Sequence, residues 1–381
     1  MNIALVINNL STGGAETFIC RLARKLAEQG HTIYLWQLFY KHNNHIYKEY
    51  LSHPNINEFP FDKEKVHYLW KNENCYKSVY LKYQLRKLVK KLKIDVVNSH
   101  LFESNYFIYN TLNIPHVISM HGSYEYYQKN PDELKSFNRS INFSECIQKI
   151  YKKVQAIAIV SDDNITTIPA EEVYKVKKIY LGYDRENGTI ANKNSIVTLG
   201  LLARGQQGKG WKYLLDSFLI LKKKFPFLRL KLGYSASEYM NSIKETYSFN
   251  STDIFWLENV SNVSEFYSDV DLTVFPSLLS ESLPNTIIES LAFNIPVIAT
   301  EVGDISIMLK SQKNELAGVL IEQNEQTLTE SLIREIDQLV YDEVNYRSLV
   351  SFTEDAFRKF DLNRCAREYL SIFEKSINAS T

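Results

Sequence analysis

Two carboxylates in SLLSESLPNTIIESLAF (residues 277–293) are spaced so that both could act on one ligand. Glu281 lies in a predicted loop, and Pro284 after it is suited to the first turn of a helix. Glu289 falls within that predicted helix. A carboxylate accepts hydrogen bonds from hydroxyl groups, and the free N–H groups of a helix N-terminus donate to phosphate oxygens. The segment therefore predicts a pocket for a molecule with hydroxyls at both ends and phosphates in the middle, as in a nucleotide-sugar.

The predicted pocket also includes the residues between the two acids. Asn285 and Thr286 share a helix face with Glu289, at spacings of four and three residues. The other residues assigned to this donor-binding pocket surround the helix start: Ser282, Leu283 and Pro284. An alternative interpretation needs no ligand, because Glu289 could be a solvated helix acid and Glu281 a favourable charge near a helix N-terminus.

The elements that must position these groups alternate between strands and helices along the 381-residue chain. Apolar runs rich in β-branched residues predict strands buried on both faces at 3–7, 32–38, 95–99, 116–120 and 156–160. A polar, turn-rich stretch at 175–195 predicts a linker. A second strand series follows it at 195–202, 228–233, 254–258, 271–276 and 295–300. The pattern predicts an α/β protein of two doubly wound, Rossmann-like domains that face a cleft and bind ligands at the carboxyl ends of their strands.

Composition and charge exclude several classes of protein. Acidic and basic residues balance at 44 each, so the whole chain shows no electrostatic preference for nucleic acid. The four scattered cysteines fit reduced thiols in a cytoplasmic protein rather than a disulfide scaffold. The start, MNIALVINNL, is typical of a first strand rather than a signal peptide, and no apolar run reaches the ~18–20 residues of a membrane-spanning helix.

The segment ESLPNTIIESLA resembles the E-x7-E motif of the family 4 retaining glycosyltransferases, which have the GT-B fold, and the resemblance extends over essentially the whole chain. It implies an N-terminal acceptor-binding domain at 1–182 and a C-terminal donor-binding domain at 183–359. It further implies that the final helix, within 360–381, packs back on the N-terminal domain.

The resemblance also assigns two basic residues to the donor. LLARGQQGKGWKYLLDSF (residues 201–218) is similar to the segment that opens the second domain of the family, where an Arg and a Lys bind the donor diphosphate. The matching residues are Arg204 and Lys209. A departing nucleoside diphosphate develops negative charge, which two fixed cations stabilise without a metal ion.

The predicted N-terminal domain carries further candidates. NNLSTGGAETF resembles the glycine-rich loop after the first strand of the family, where Gly13 and Gly14 would let the backbone approach a phosphate or an acceptor. His100 and His121 end two predicted strands. The resemblance places His121 beside the donor sugar and assigns it, with Glu281, to the catalytic residues, whereas His100 belongs to the acceptor side.

The activity that the resemblance implies is transfer of a sugar, with retention of anomeric configuration, from a nucleotide-diphosphate sugar to a hydroxyl. No cofactor or metal is expected. Glu281 would hold hydroxyls of the donor sugar and Glu289 the ribose. The expected acceptor is a glycan or lipid-linked saccharide in surface-polysaccharide synthesis (O-antigen, capsule or lipopolysaccharide), and the expected location is cytoplasmic, with peripheral contact on the inner face of the membrane.

Other interpretations of the sequence stay open at this point. Asp269 and Asp271 could form the D-x-D metal site of the other large glycosyltransferase fold, or a turn of solvated acids. The protein could be a nucleotide-sugar epimerase of the same fold, or a non-catalytic accessory subunit that binds nucleotide-sugars. The basic, amphipathic segment 76–93 could rest on anionic lipid, or simply pack one face on the sheet and expose the other.

Overall fold

The computed structural model describes residues 1–10, 13–40, 47–62, 76–122, 124, 143–185, 195–247, 253–279 and 281–379. The chain forms two compact units. Unit 1 contains Met1–Asp184 and Leu362–Thr381, and unit 2 contains Arg185–Asp361. The chain therefore crosses into unit 2 at residue 185 and returns at residue 362, where the sequence predicted crossings at 183 and 360. Residues 186–194 of the predicted linker lie outside the described residues.

The described part of unit 1 is built on a seven-stranded sheet with the order β3-β2-β1-β4-β5-β6-β7. Every neighbouring pair in it is parallel. The strands are β1 (Asn2–Ile7), β2 (Thr32–Tyr40), β3 (Ile56–Asp62), β4 (Val96–His100), β5 (His116–Met120), β6 (Ala156–Ile159) and β7 (Val176–Lys178). β4, β5 and β6 are buried along their whole length, because helices cover both faces of a parallel sheet.

Helices connect and cover these strands. They are α1 (Gly14–Glu28), α2 (Lys48–Leu51), α3 (Tyr76–Leu92), α4 (Phe102–Tyr109), α5 (Phe143–Lys153) and, from the end of the chain, α13 (Leu362–Asn378). α13 lies in unit 1, as the resemblance led us to expect of the final helix, and it packs against α1, β4 and β5. Short 3₁₀ turns at Asp162–Thr167 and Ala170–Lys175 link β6 to β7.

The described part of unit 2 contains a six-stranded parallel sheet with the order β10-β9-β8-β11-β12-β13. Its strands are β8 (Thr198–Ala203), β9 (Arg229–Tyr234), β10 (Ile254–Glu258), β11 (Leu272–Phe275), β12 (Val297–Thr300) and β13 (Gly318–Ile321). Its helices are α6 (Trp211–Lys224), α7 (Glu238–Thr246), α8 (Val263–Tyr267), α9 (Asn285–Ala292), α10 (Ile305–Leu309), α11 (Leu328–Tyr341) and α12 (Glu343–Phe357).

Both sheets are doubly wound, which confirms the predicted fold class. In unit 1 the strand order reverses between β1 and β4, and in unit 2 it reverses between β8 and β11. At such a reversal the loops after the two central strands run in opposite directions and leave a crevice at the carboxyl edge of the sheet, where ligands bind. The predicted site residues follow these strands: Gly13 comes after β1, His100 ends β4, and Lys209 and Glu281 come after β8 and β11.

Candidate functional site

The loops after β8 and β11 are packed closely at the crevice of unit 2. The backbone N–H of Leu278 donates to the carbonyl of Gly208 over 2.7 Å. Gly210 has a φ of 78°, and a Cβ there would lie only 2.1 Å from the carbonyl oxygen of Pro276. A glycine is required at this position because it permits both the left-handed backbone and the close approach.

Lys209 and Glu281 meet directly at this junction. The Lys209 Nζ forms an ion pair with Oε1 of Glu281, and the Ser277 hydroxyl donates to the same oxygen over 2.7 Å. Lys209 is buried, and its ammonium lies 5.5 Å from the centre of the Phe275 ring. Oε2 of Glu281 has no hydrogen-bond partner among the described residues. The pair thus presents a fixed cation beside an available carboxylate oxygen.

Arg204, unlike the buried and paired Lys209, is exposed. Its side chain forms no ion pair with any residue that the structure describes. Its backbone is held in place, because the Trp211 indole donates to the Arg204 carbonyl over 3.1 Å and Ser235 accepts from the N–H of Gly205. A cation on an anchored backbone, with its guanidinium unengaged, is available to an anionic ligand.

The helix after Glu281 begins one residue later than the sequence predicted. Pro284 is the N-cap of α9 rather than a member of its first turn, since its ψ of 124° is extended, and Asn285 is the first helical residue. No side chain caps this end of the helix. The Thr286 hydroxyl donates to the carbonyl of Leu202 in β8, which ties the start of α9 to the strand before Arg204.

Glu289 is not a solvated helix acid. It is 5% exposed and lies on α9, where Leu283 and Thr286 near the helix start are also buried. Ser282 and Asn285 are partly buried. The burial of Glu289 within unit 2 therefore rules out the solvated alternative for this residue.

A third loop, after β12, also supports Glu281. Gly303 has a φ of 53°, and a Cβ there would lie 1.8 Å from the Glu281 carbonyl oxygen, which also accepts from the N–H of Asp304 at 3.3 Å. The Thr300 hydroxyl donates to the carbonyl of Ser277. Sequence reasoning missed these supports, although a glycine directly after a buried strand, as in ATEVGD, is a signal that could have found Gly303.

His100 and His121, two of the candidates in unit 1, are in direct contact. His100, the last residue of β4, places its Nδ1 2.8 Å from Nε2 of His121, and its Nε2 lies 2.8 Å from Oδ1 of Asn98. The two imidazoles stack at 5.0 Å between centroids, and Phe18 of α1 packs edge-on to His121. The sequence predicted His100 and His121 but not Asn98, because a single amide within a buried strand gives no periodic signal.

Burial decides the charge of this pair. Burial and the neighbouring His121 hold the pKa of His100 well below its ordinary value. Burial also lowers the pKa of His121, to about 4. Both imidazoles are therefore neutral near pH 7. Directly after His100, Leu101 has a φ of 71° and a ψ of 153°, a strained conformation for leucine of a kind that clusters at functional sites.

The predicted glycine-rich loop has an acidic neighbour. Gly13 is the N-cap of α1 in an extended conformation, and Gly14 is the first residue of the helix. A Cβ on Gly13 would lie 2.3 Å from a carboxylate oxygen of Glu16. The carboxylate of Glu16 therefore lies close to the backbone of the predicted glycine-rich loop.

The structure does not favour a metal site at Asp269 and Asp271. Both acids precede β11, at the edge of the sheet opposite to Glu281. Asp269 forms an ion pair with Lys231 at 2.5 Å, and Asp271 accepts from the N–H groups of Val197 and Thr198. Asp271 thus joins the starts of β11 and β8, whereas Asp269 lies in an exposed turn, as the solvated alternative predicted for it. Among the described residues, no cluster of three or more His, Cys, Asp or Glu side chains could hold a metal ion.

The basic segment forms helix α3, which packs one face on the sheet. Leu81 and Leu85 are buried in a core cluster that includes Trp36, while Lys87 and Lys90 are exposed on the other side. Within the described residues, every helix is too short or too polar to cross a membrane.

Two family models match the chain. The model described as Glycosyltransferase Family 4 matches residues 12–185, and the model described as Glycosyl transferases group 1 matches residues 193–342. Together they span most of both units. An uncharacterized glycosyltransferase of Haemophilus influenzae is 25% identical over 352 residues, which cover 88% of this chain and 89% of the relative.

Solved structures show the same fold. The Anabaena protein HepE, crystallised with UDP and glucose, aligns with a TM-score of 0.73 at 14% identity, covering 97% of this chain and 98% of HepE. A glycosyltransferase of Rickettsia africae aligns with a TM-score of 0.74 at 19% identity, covering 98% of each chain. At identities of 14% and 19%, both alignments show a shared fold. These structures show that the chain has the GT-B fold, and the two family models, which together match most of its length, show that it belongs to the family 4 glycosyltransferases.

Proposed function

We propose that the protein is a retaining glycosyltransferase that moves a hexose from a nucleotide-diphosphate sugar to a hydroxyl of a glycan or lipid-linked acceptor. The observation that carries the proposal is the ion pair of Lys209 with Glu281, with the unengaged Arg204 on the same β8 loop. This arrangement offers two cations and a carboxylate oxygen at the strand reversal of unit 2. Unit 2 would bind the donor and unit 1 the acceptor.

The two cations suit the two charges of a diphosphate. The ammonium of Lys209 has three N–H donors, and its contact with Glu281 uses one of them. The exposed guanidinium of Arg204 can form a two-pronged contact with phosphate oxygens. Because the charge on the diphosphate grows as the sugar departs, fixed cations stabilise the transition state more than the ground state. The proposal therefore includes no resident metal, and activity should persist when divalent cations are chelated.

The two acids would hold opposite ends of the donor. Oε1 of Glu281 is occupied by Lys209 and Ser277, so Oε2 is the atom that would accept hydrogen bonds from hydroxyls of the donor sugar. Glu289 would accept from the hydroxyls of the ribose. The N–H groups at the uncapped start of α9 would contribute hydrogen bonds to the donor phosphates.

Retention would follow from attack on the face that the diphosphate leaves. In that mechanism the departing phosphate takes the proton of the attacking hydroxyl, and the protein positions the reactants and stabilises charge. His121, neutral near pH 7, would contact a substrate hydroxyl as a hydrogen-bond partner. ¹H NMR of the glycoside product would show whether its new linkage has the anomeric configuration of the donor, as this mechanism requires.

The acceptor is proposed from chemistry and from a structural neighbour. The carboxylate of Glu16 beside Gly13 can accept a hydrogen bond from a hydroxyl of an acceptor in unit 1. A lipopolysaccharide outer core galactosyltransferase, WaaB, shares the fold with a TM-score of 0.63 at 12% identity. The proposal therefore places this protein in surface-polysaccharide synthesis on the cytoplasmic side of the membrane. The exposed lysines of α3 would provide peripheral contact with anionic lipid, and sedimentation with anionic vesicles after charge reversal of Lys87 and Lys90 tests that contact.

A binding screen followed by a transfer assay tests the proposal. Ligand-detected NMR against UDP-, GDP-, ADP- and TDP-sugars, repeated with Glu289→Ala, should show one preferred donor whose binding the variant loses. Lys212→Ala is a control for an alanine substitution outside the predicted pocket, because Lys212 is exposed in α6 and forms an ion pair with Asp216. Binding without transfer to any glycan would favour an accessory subunit. Conversion of the donor sugar without an acceptor would favour an epimerase, and binding of no nucleotide-sugar would contradict the proposal.

A further inference from the structure

The orientation of the Asn98 amide is fixed by its surroundings. Its Nδ2 donates to the carbonyl of Val117 over 3.1 Å and to the hydroxyl of Ser119 over 2.9 Å. A carbonyl can only accept, so the NH₂ group must face Val117. The amide oxygen, Oδ1, consequently faces His100, with its lone pairs 2.8 Å from Nε2 of that ring.

This orientation determines which nitrogen of His100 carries hydrogen. Because Oδ1 of Asn98 can only accept, Nε2 of His100 must be the N–H donor. A neutral imidazole has one N–H, so Nδ1 of His100 is a bare acceptor, and it lies 2.8 Å from Nε2 of His121. Nε2 of His121 must then carry the hydrogen of that ring. Two bare nitrogens facing each other would be repulsive.

We propose that Asn98 and His100 are positioning residues that hold His121 as its Nε2–H tautomer, so that its Nδ1 lone pair accepts a hydrogen bond from a substrate hydroxyl. This assignment rests on the proposed glycosyltransferase function for the nature of the ligand, but not for the tautomer. The lowered pKa values of both histidines support it, because both rings are neutral near pH 7.

The acceptor atom of His121 has an unused hydrogen-bonding capacity. Nδ1 of His121 is buried and has no hydrogen-bond partner among the residues that the structure describes. Phe18 packs against both rings, with centroid distances of 6.1 Å to His100 and 5.6 Å to His121. A buried acceptor is costly to leave unpaired, and a hydroxyl of a bound sugar would satisfy it.

The tautomer has a consequence for selectivity. A bare Nδ1 can accept from a hydroxyl or an N–H group, whereas it repels the oxygens of a phosphate or carboxylate, which have no hydrogen to give. His121 in this state therefore selects a group that donates. With its hydrogen on Nδ1 instead, His121 would select a group that accepts a hydrogen bond.

The hydrogen bonds from Asn98 through His100 to His121 form a relay that sets the tautomer of His121. Ring ¹⁵N NMR of the ligand-free, full-length protein tests this relay. With ¹⁵N-labelled histidine at pH 7.5, and His121 assigned by comparison with His121→Gln, its Nε2 should show the shift of a protonated nitrogen and its Nδ1 that of a bare nitrogen. The reverse pattern, or averaged shifts that indicate interconverting tautomers, would overturn the proposal. This spectrum decides the matter even if no further variant folds.

Two variants separate the relay from ordinary packing. Asn98→Ala removes the acceptor that orients His100, so the two ring shifts of His121 should move toward each other as a tautomer mixture appears. Ser119→Ala is the matched control, because Asn98 still donates to Val117 and keeps its orientation, and the His121 shifts should not move. Unchanged shifts in a folded Asn98→Ala variant would contradict the relay.

Failure of this inference can be told apart from failure of the proposed function. The wrong tautomer in a protein that binds and transfers sugar would reject the relay alone. The expected tautomer in a protein that binds no nucleotide-sugar would reject the function and leave the relay as a structural fact.

Discussion

Lys209 and Glu281 form a buried ion pair that joins the loops after β8 and β11, although 72 residues separate them in the chain. The pair gives each side chain two tasks. Lys209 neutralises a buried carboxylate and remains able to donate to a ligand, while Glu281 accepts from Lys209 and Ser277 on one oxygen and leaves the other available. Each partner therefore supports the stability of unit 2 as well as the proposed chemistry.

Removing one partner of this pair should cost more stability than removing both charges together. We expect Lys209→Met to lower the free energy of unfolding by about 3–5 kcal/mol, because it leaves Glu281 as an uncompensated buried charge. The double variant Lys209→Met with Glu281→Gln should recover part of that loss. Urea unfolding of both single variants and the double variant measures the coupling, and strictly additive losses would contradict a direct interaction.

Arg204 should contribute to donor binding and not to stability. Arg204→Ala removes an exposed guanidinium that has no ion pair among the described residues, so the free energy of unfolding should change by less than about 0.5 kcal/mol. Loss of a charge-assisted contact worth ~1.5–3 kcal/mol should raise the donor Kd by about ten- to a hundred-fold. Arg204→Lys should fall between the two, since it keeps the charge and loses the planar fork. Isothermal titration with the preferred donor measures this, and equal affinity for all three proteins would remove Arg204 from the site.

Acidification should destabilise unit 1 through its buried histidines. The pKa of His121 is about 4 and that of His116 about 3 in the folded protein, below the ordinary value of 6.5 that the unfolded chain restores. Between these values the unfolded state binds more protons, so the free energy of unfolding should fall as the pH decreases from about 6.5 toward 4.

Carboxylates also titrate between pH 4 and 6.5. The test therefore compares how steeply the free energy of unfolding depends on pH in the parent protein and in histidine variants. Urea unfolding at several pH values should show that the free energy of unfolding falls less steeply with decreasing pH in His116→Gln than in the parent protein. His53→Gln serves as the comparison for loss of an imidazole outside the buried pair. Identical slopes in all three proteins would show that the buried histidines do not control this loss.

Gly303 should tolerate no side chain, because its position supports Glu281. Gly303→Ala would place a Cβ 1.8 Å from the Glu281 carbonyl at a φ of 53°, so unfolding should become easier by more than about 1 kcal/mol. Displacement of Glu281 should also weaken donor binding. Gly122→Ala is the control for stability, since a Cβ there meets no atom of the described residues within 4 Å. A thermal shift and a donor titration on both variants check the prediction, which fails if Gly303→Ala behaves like Gly122→Ala.

The sequence predicts the fold well because parallel strands buried on both faces appear as uninterrupted apolar runs, as at Ile3–Ile7 and Val297–Thr300. It predicts Glu281 and Lys209 because their motifs are local. It does not predict that these two side chains touch, since no periodicity relates residues so far apart. Asn98 and Ser277 were missed for a related reason: each acts through a partner brought near by the sheet, and neither has a neighbour in sequence that marks it.

Helix α13 has a consequence for the order in which the protein matures. Its Tyr369 is buried in unit 1, where its hydroxyl lies 3.0 Å from that of Ser119 in β5. Unit 2 is contained in one continuous stretch, Arg185–Asp361, while unit 1 needs residues from both sides of it. During synthesis the ribosome therefore delivers all of unit 2 before unit 1 has its last core helix. The half of the protein that is translated first is the half that is completed last, and β4 and β5 lack the helix that packs on them until α13 is made, while the other half can already fold.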